Sequence, residues 1–129
     1  ILEPEDAVKA LDVGADAIIV SNHGGRQLDQ TSSTISMLPK IVKAVKGKSA
    51  IWLDGGIRSG QDILKAVALG ANNTLIGRAM SYGLGANGLN GCEKALNILH
   101  TELDMTMALC GHKNLKEVDD SILKIESVF

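Results

Sequence analysis

A histidine and an arginine that could do chemistry stand directly after a short apolar segment. Residues 17–20 read Ala-Ile-Ile-Val, which is typical of a buried strand, and His23, Gly24, Gly25 and Arg26 follow. Histidine can accept a proton near neutral pH, and arginine can hold a carboxylate through two parallel hydrogen bonds. Paired glycines let the backbone turn sharply beside a flat ligand. Because ligands of α/β folds bind beyond the carboxyl ends of strands, we expect a site here. The alternative is a polar turn in which His23 is merely hydrogen-bonded.

A second group of residues has the composition of a phosphate site. The segment Asp-Gly-Gly-Ile-Arg at residues 54–58 lies between a predicted strand and a predicted helix, and Gly77 and Arg78 follow the next strand. Glycine N–H groups, the positive end of a helix and arginine side chains all favour an anion. We therefore expect Gly55, Gly56, Arg58, Gly77 and Arg78 to hold a phosphate, and Asp54 to accept a hydrogen bond from a sugar-type hydroxyl. The alternative is that these glycines only form turns and the arginines are surface charges.

The elements that must position these residues alternate along the chain. Hydrophobic spacing and Gly or Ser boundaries predict helices over residues 4–13, 34–45, 60–69 and 88–109, and strands over residues 17–21, 49–54 and 73–77. Ser33 and Ser59 are candidate helix caps, and Pro39 could kink the second helix or delay its start to Leu38. We expect the tail, residues 112–129, to form a short helix packed on the outside of the domain.

An internal repeat indicates how many such units belong together. Residues 6–15 and 62–71 match at five of ten positions with an offset of 56 residues. That offset covers two helix–strand units of about 28 residues each, close to the spacing in a (β/α)8 barrel. Short connections favour parallel strands. We therefore predict one partial domain over residues 1–129, with three parallel strands. Such an open half-barrel implies a piece of a longer protein or association with another half.

Composition excludes several other classes. The chain has 129 residues, 45% of them hydrophobic, and a formal net charge of −2, so no basic surface suggests nucleic acid. No apolar run reaches the length of a membrane span, and no signal peptide is expected. Cys92 and Cys110 are too far apart in sequence for a typical zinc site, so we expect free thiols and no metal. His100 and His112 have neither a glycine loop nor a nearby arginine and are interpreted as structural or solvent-facing.

Four sequence segments together resemble the FMN-dependent L-2-hydroxy acid dehydrogenases and oxidases. They read SNHGGRQLD at residues 21–29, DGGIR at 54–58, KAVALGA at 65–71 and GRA at 77–79, and the resemblance continues through MTMALCG at 105–111. The family includes glycolate oxidase, flavocytochrome b2 and bacterial L-lactate dehydrogenase. It implies an α/β fold, the C-terminal half of a (β/α)8 TIM barrel from about helix 5 to helix 8. The first residues and the GRA segment look most like the bacterial lactate and mandelate dehydrogenases.

The resemblance also implies a role for each matched residue. His23 matches the catalytic base and Arg26 the substrate carboxylate anchor. The FMN-contacting positions are Ser21 near the flavin ring, Asp54 at the ribityl chain, and Gly55, Gly56, Arg58, Gly77 and Arg78 at the phosphate. FMN accepts electrons, and His23 takes either the hydroxyl proton or the α-proton first. The family's flavin-contacting lysine, its substrate-binding tyrosines and the aspartate that orients the histidine fall outside the chain. We therefore expect this chain alone to be inactive.

Three hypotheses follow for function. The first is FMN-dependent oxidation of an L-2-hydroxy acid, L-lactate above others, to the 2-oxo acid, by a cytoplasmic homo-oligomer or one peripheral on the inner face of the membrane. Its electron acceptor is left open among quinone, cytochrome and oxygen. The second is a non-catalytic half-barrel that binds a phosphorylated ligand or a partner chain. The third, a different phosphate-binding barrel enzyme such as an isomerase, is disfavoured by the pairing of His23 with Arg26.

Overall fold

The computed structural model describes residues 1–124, and in that range a three-stranded parallel sheet is flanked by four α-helices. The strands lie in the order β1-β2-β3. They are β1 (Ala17–Val20), β2 (Ala50–Asp54) and β3 (Asn73–Leu75). The helices are α1 (Pro4–Asp12), α2 (Thr34–Val45), α3 (Gly60–Ala68) and α4 (Arg78–Leu109). Strands and helices alternate as the sequence predicts, because each strand returns parallel to the last through a crossover helix.

The register of the sheet places the three strand ends side by side. Val20 pairs with Leu53, and Leu53 pairs with Thr74. The residues that follow β1, β2 and β3 therefore emerge at one edge of the sheet. This edge carries the residues for which chemistry is predicted.

The hydrophobic core lies between one face of the sheet and helices α1, α2 and α3. Ile18 and Val20 of β1 and Leu53 of β2 are at most 1% exposed, and Leu38 and Ile41 of α2 are fully buried against them. Burying an aliphatic side chain of this size contributes roughly 1.5–3 kcal/mol. Alternate residues on the opposite face are open, and Ile19 is 43% exposed. The helices therefore fix the strands from one side only.

Helix α2 confirms its predicted bounds and runs through Pro39 without interruption. Pro39 is the sixth of its twelve residues, so the helix lacks the one N–H bond that would reach the Ile35 carbonyl oxygen, and burial of its apolar face outweighs that loss. Ser33 occupies the N-cap position, but its side chain caps nothing. The helix ends at Val45, and the left-handed backbone of its C-cap residue Lys46 leads into Gly47.

The helix predicted over residues 88–109 is present as the part of α4 that follows a kink, but the helical part before the kink was not predicted. Helix α4 starts at Arg78 and is broken only at Asn87 and Gly88, whose backbone angles are not helical. Gly83 and Gly91 lie against each other across this break, because a Cβ added to Gly91 would overlap the Gly83 carbonyl oxygen. Glycines that favour a loop in isolation are used here for close backbone packing.

The short helix predicted in the tail is not present within residues 112–124, although this part of the tail does pack on α3. Residues 112–124 contain two single 3-10 turns, Leu115–Glu117 and Asp120–Ile122, and residues 125–129 of that prediction lie outside the described range. Val118 packs with Leu64 and Ala68 of α3 in a second apolar cluster. Asn114 and Asp119 cap the two turns with their side chains, so local hydrogen bonds replace the helix ladder.

Candidate active site

A cleft of about 350 Å³ opens at the edge where the three strands end. All the predicted site residues except Ser21 line it. The lining residues are His23, Gly24, Arg26, Asp54, Gly55, Gly56, Ile57, Arg58, Leu75, Gly77, Arg78 and Ser81. The lining includes three arginines and one acidic residue, Asp54, so the cleft is cationic and suits a ligand with anionic groups.

The loop after β1 is a tight turn that carries His23 and Arg26. His23 to Gly25 form one 3-10 turn with positive φ at each residue, and the Gly25 N–H donates to the Asn22 carbonyl oxygen. A guanidinium N–H of Arg78 donates to the Gly24 carbonyl oxygen at 3.2 Å. The same nitrogen would lie 3.2 Å from a Cβ at Gly24, so a larger residue would crowd it. Arg78 thus joins the end of β3 to the turn that carries His23.

A second connection joins this loop to the end of β2. The Ser21 hydroxyl donates to Asp54 Oδ2 at 2.6 Å, and the His23 N–H donates to Ser21 Oγ at 3.1 Å. Val20 of β1 pairs with Leu53 of β2, so Ser21 and Asp54, the next residue along each chain segment, lie side by side. The side chain of Ser21 is thus engaged with protein groups rather than lining the cleft.

The start of α3 is filled by side chains of the chain itself. Asp62 Oδ2 accepts from the N–H groups of Arg58 and Ser59, and Ser59 Oγ accepts from Asp62 N–H in a capping box. The Gly60 N–H donates to Glu102 Oε2 at 2.9 Å. These carboxylates occupy N–H groups that the sequence assigns to phosphate, so the role of α3 is to hold the Arg58 loop in place.

The start of α4 is better suited to an anion. No side chain within residues 1–124 caps it, and its N-cap residue is Gly77. A Cβ added to Gly56 or Gly77 would meet no atom within 4 Å, so both glycines leave open space at the cleft. Arg58 is exposed beside them. Open backbone, an uncapped helix start and arginine side chains fit the phosphate of FMN, and the second oxygen of Asp54 fits a ribityl hydroxyl.

Several supporting residues were not found from sequence. Asn22 Nδ2 donates to the Ser32 carbonyl oxygen and closes the loop, whereas its Oδ1 is buried with no partner among the described atoms. Thr34 Oγ1 donates to the Gly55 carbonyl oxygen at 3.2 Å. Ser81 lines the cleft, and Glu102 reaches Gly60 across 42 residues. The position of Asn22 within the histidine motif was a usable signal, but long-range contacts such as that of Glu102 have no local pattern.

Two further observations concern metal binding and membrane insertion. Within residues 1–124, no group of three or more His, Cys, Asp or Glu side chains could hold a metal ion. Over the same described range, no helix combines the length and the apolar character that crossing a bilayer requires. Cys92 and Cys110 are free thiols.

Comparison with known proteins assigns this chain to a family. The profile of the FMN-dependent dehydrogenases matches residues 1–125, and the chain belongs to that family. The chain is 53% identical over 123 residues to a 2-hydroxyacid oxidase of Dictyostelium discoideum, covering 95% of this chain and 32% of the relative. It is 50% identical over 123 residues to an L-lactate dehydrogenase of Pseudomonas syringae, covering 95% of this chain and 32% of that relative. The chain therefore spans about a third of the length of these relatives.

Solved structures agree with this assignment. A mandelate oxidase, solved with 4-Br-2-hydroxy-methylphenylacetate, superposes with a TM-score of 0.87 at 48% identity, over 90% of this chain and 36% of that one. The predicted fold class, part of a (β/α)8 TIM barrel with three parallel strands, is confirmed, although the shared part is nearer a third than a half of that chain. The predicted cofactor is confirmed as well, because the family is FMN-dependent.

Proposed function

We propose that the whole protein containing this chain oxidises an L-2-hydroxy acid to the corresponding 2-oxo acid with bound FMN. The observation that carries the proposal is the single cleft in which His23, Arg26, Arg58 and Arg78 meet from three strand ends. A 2-hydroxy acid offers a carboxylate for an arginine and a proton for a histidine, and FMN adds a phosphate for the others. Relatives named 2-hydroxyacid oxidase, L-lactate oxidase and L-lactate dehydrogenase support the substrate class.

Arg26 and His23 handle the substrate in this proposal. Arg26 is exposed at the cleft, and its side chain makes no hydrogen bond with residues 1–124, so its guanidinium is available to a carboxylate. With the carboxylate held, the hydroxyl-bearing carbon comes beside His23, which takes up one proton as a general base. The net reaction removes two electrons and two protons from the substrate, and FMN when bound supplies the electron acceptor.

The residues at the ends of β2 and β3 hold FMN in this proposal. Asp54 accepts a hydrogen bond from a ribityl hydroxyl, and Gly55, Gly56, Arg58, Gly77 and Arg78 surround the phosphate. Arg26 binds the substrate carboxylate, whereas Arg58 and Arg78 bind the cofactor phosphate. Each ligand therefore has its own end of the cleft. The finer prediction that L-lactate is the preferred substrate rests on the relatives named for lactate.

The test is anaerobic reduction of the bound flavin by a panel of 2-hydroxy acids. We expect L-lactate to bleach the flavin absorbance of the whole protein, with glycolate and L-mandelate as smaller and larger comparisons and D-lactate as the control. Bleaching by L-mandelate in preference to L-lactate would overturn the lactate assignment but keep the substrate class. A protein that holds FMN and is bleached by none of the L-acids would overturn the function itself and favour the non-catalytic hypothesis.

A further inference from the structure

His23 has a backbone conformation that needs support from its surroundings. Its φ is 53°, in the left-handed region that histidine adopts at a cost, and its side chain is exposed at the cleft. A base must lie within hydrogen-bond reach of the proton it takes, so an unsupported turn would move the imidazole away from productive positions. The neighbouring hydrogen bonds show what supports it.

The support is a chain of two hydrogen bonds whose direction is fixed by chemistry. A backbone N–H can only donate, so the 3.1 Å contact makes Ser21 Oγ the acceptor for His23. An ionised carboxylate can only accept, so the 2.6 Å contact uses the one hydroxyl proton of Ser21 for Asp54 Oδ2. Ser21 therefore has no proton left to donate to a ligand. The second oxygen of Asp54 is the one left for the ribityl chain.

We propose that Ser21 is a positioning residue that fixes the turn carrying His23 to Asp54. This inference rests on the proposed function, and it adds a second role for the hydroxyl to the expected place of Ser21 near the flavin ring. Asp54, which is proposed to hold a ribityl hydroxyl of FMN, thus also fixes the backbone of His23 through Ser21. Arg78 adds a second tie to the same turn at the Gly24 carbonyl oxygen.

The test compares Ser21→Ala, Ser21→Thr and His23→Gln in the whole FMN-loaded protein. Ser21→Ala removes both hydrogen bonds at little change of volume, and Ser21→Thr restores the hydroxyl. The matched control is Ser36→Ala, because the Ser36 hydroxyl donates to the Ser33 carbonyl oxygen on α2, away from the cleft. Three quantities are measured: the anaerobic rate of flavin reduction at saturating substrate, the Kd for FMN, and amide hydrogen exchange over residues 22–30.

We expect Ser21→Ala to slow flavin reduction by about 10- to 100-fold, the size of effect that a misplaced catalytic group produces. The Kd for FMN should change much less than the rate, exchange at residues 22–30 should quicken, and Ser21→Thr should restore both rate and protection. Ser36→Ala should leave all three quantities unchanged.

Three results would overturn the proposal. A wild-type reduction rate in Ser21→Ala, together with a slow His23→Gln, would remove the positioning role and leave the proposed function standing. Loss of FMN affinity as large as the loss of rate would make Ser21 a cofactor ligand instead. A slow Ser21→Ala with unchanged amide exchange would show that the turn was never held by this hydroxyl. If His23→Gln also reduces flavin at the wild-type rate, the proposed function itself fails.

Discussion

At the scale of single residues, the arginines of the cleft differ in whether their side chains form hydrogen bonds with the protein. Arg78 donates to the Gly24 carbonyl oxygen, whereas Arg26 and Arg58 are exposed and make no side-chain hydrogen bond to residues 1–124. An arginine tied to the protein keeps a fixed place, and one without such a bond can turn toward a ligand. Arg26 and Arg58 are thus the residues whose substitution reports most cleanly on ligand contacts.

Arg26→Lys tests the contact with the substrate carboxylate. Lysine keeps the positive charge but loses the planar fork that binds a carboxylate through two hydrogen bonds. We expect a higher KM and a slower turnover for L-2-hydroxy acids, while FMN remains bound at wild-type levels. Steady-state kinetics with a measured flavin content would check this, and an unchanged kcat/KM would contradict the assignment of Arg26.

Arg58→Ala tests the phosphate end of the cleft. FMN and riboflavin differ only in the phosphate, so loss of a phosphate ligand should weaken FMN binding while riboflavin binding barely changes. One charged hydrogen bond of about 1.5–3 kcal/mol corresponds to a rise in Kd of roughly 10- to 100-fold. Fluorescence titration of the apoprotein with both flavins measures the difference, and Arg78→Ala should act in the same direction.

The control for Arg58→Ala is Lys43→Ala, which removes an exposed cation on α2 outside the cleft. It should change neither Kd. An equal loss of affinity for FMN and riboflavin in Arg58→Ala would show that Arg58 does not contact the phosphate.

At the scale of elements, the contact between α3 and α4 supports the Arg58 loop. A Cβ built on Gly60 would overlap the Leu103 backbone nitrogen and the Glu102 carbonyl carbon. No side chain fits there, because both close atoms belong to backbone. The absence of a Cβ also lets the Gly60 N–H reach Glu102 Oε2.

Gly60→Ala should therefore destabilise the protein although alanine favours helices. Forcing an extra methyl into a packed contact typically costs about 1–3 kcal/mol. The matched control is Gly85→Ala in α4, where an added Cβ meets no described atom within 4 Å and alanine should be neutral or stabilising. Denaturant unfolding of the two variants measures the difference, and equal stability of Gly60→Ala and wild type would contradict the close packing.

The elements also show what sequence could and could not predict. The apolar spacing of Ile35, Leu38, Ile41 and Val45 predicts α2 at its observed bounds, because the local pattern agrees with which residues are buried. The first part of α4 was missed because glycines 83, 85 and 88 lower helix propensity, and their use in the Gly83–Gly91 contact is tertiary. The helix predicted in the tail is not seen in residues 112–124, because the capping side chains of Asn114 and Asp119 favour single turns over a continuous helix.

At the scale of the whole molecule, the chain presents one covered and one open face of its sheet. Ile19 on the open face is 43% exposed. Ile1 lies beside the outer edge of β1, where its amino group donates to the Ile19 carbonyl oxygen and its carbonyl oxygen accepts from the Ser21 N–H. In a (β/α)8 barrel the inward faces of eight strands together form the interior, and the active site lies at their carboxyl ends. The motif around His23 and the two glycine–arginine strand ends were predictable because each is local in sequence. Their convergence on one cleft depends on the parallel register.

The most direct test of the central claim is flavin reduction by His23→Gln in the whole protein. Glutamine keeps a similar size and hydrogen-bonding capacity but cannot accept the proton. Stopped-flow bleaching of bound FMN by an L-2-hydroxy acid, without oxygen, isolates this step. We expect FMN and substrate to bind and reduction to slow by about 100-fold or more. Bleaching of His23→Gln at the wild-type rate would contradict the account, because His23 would then be only a turn residue.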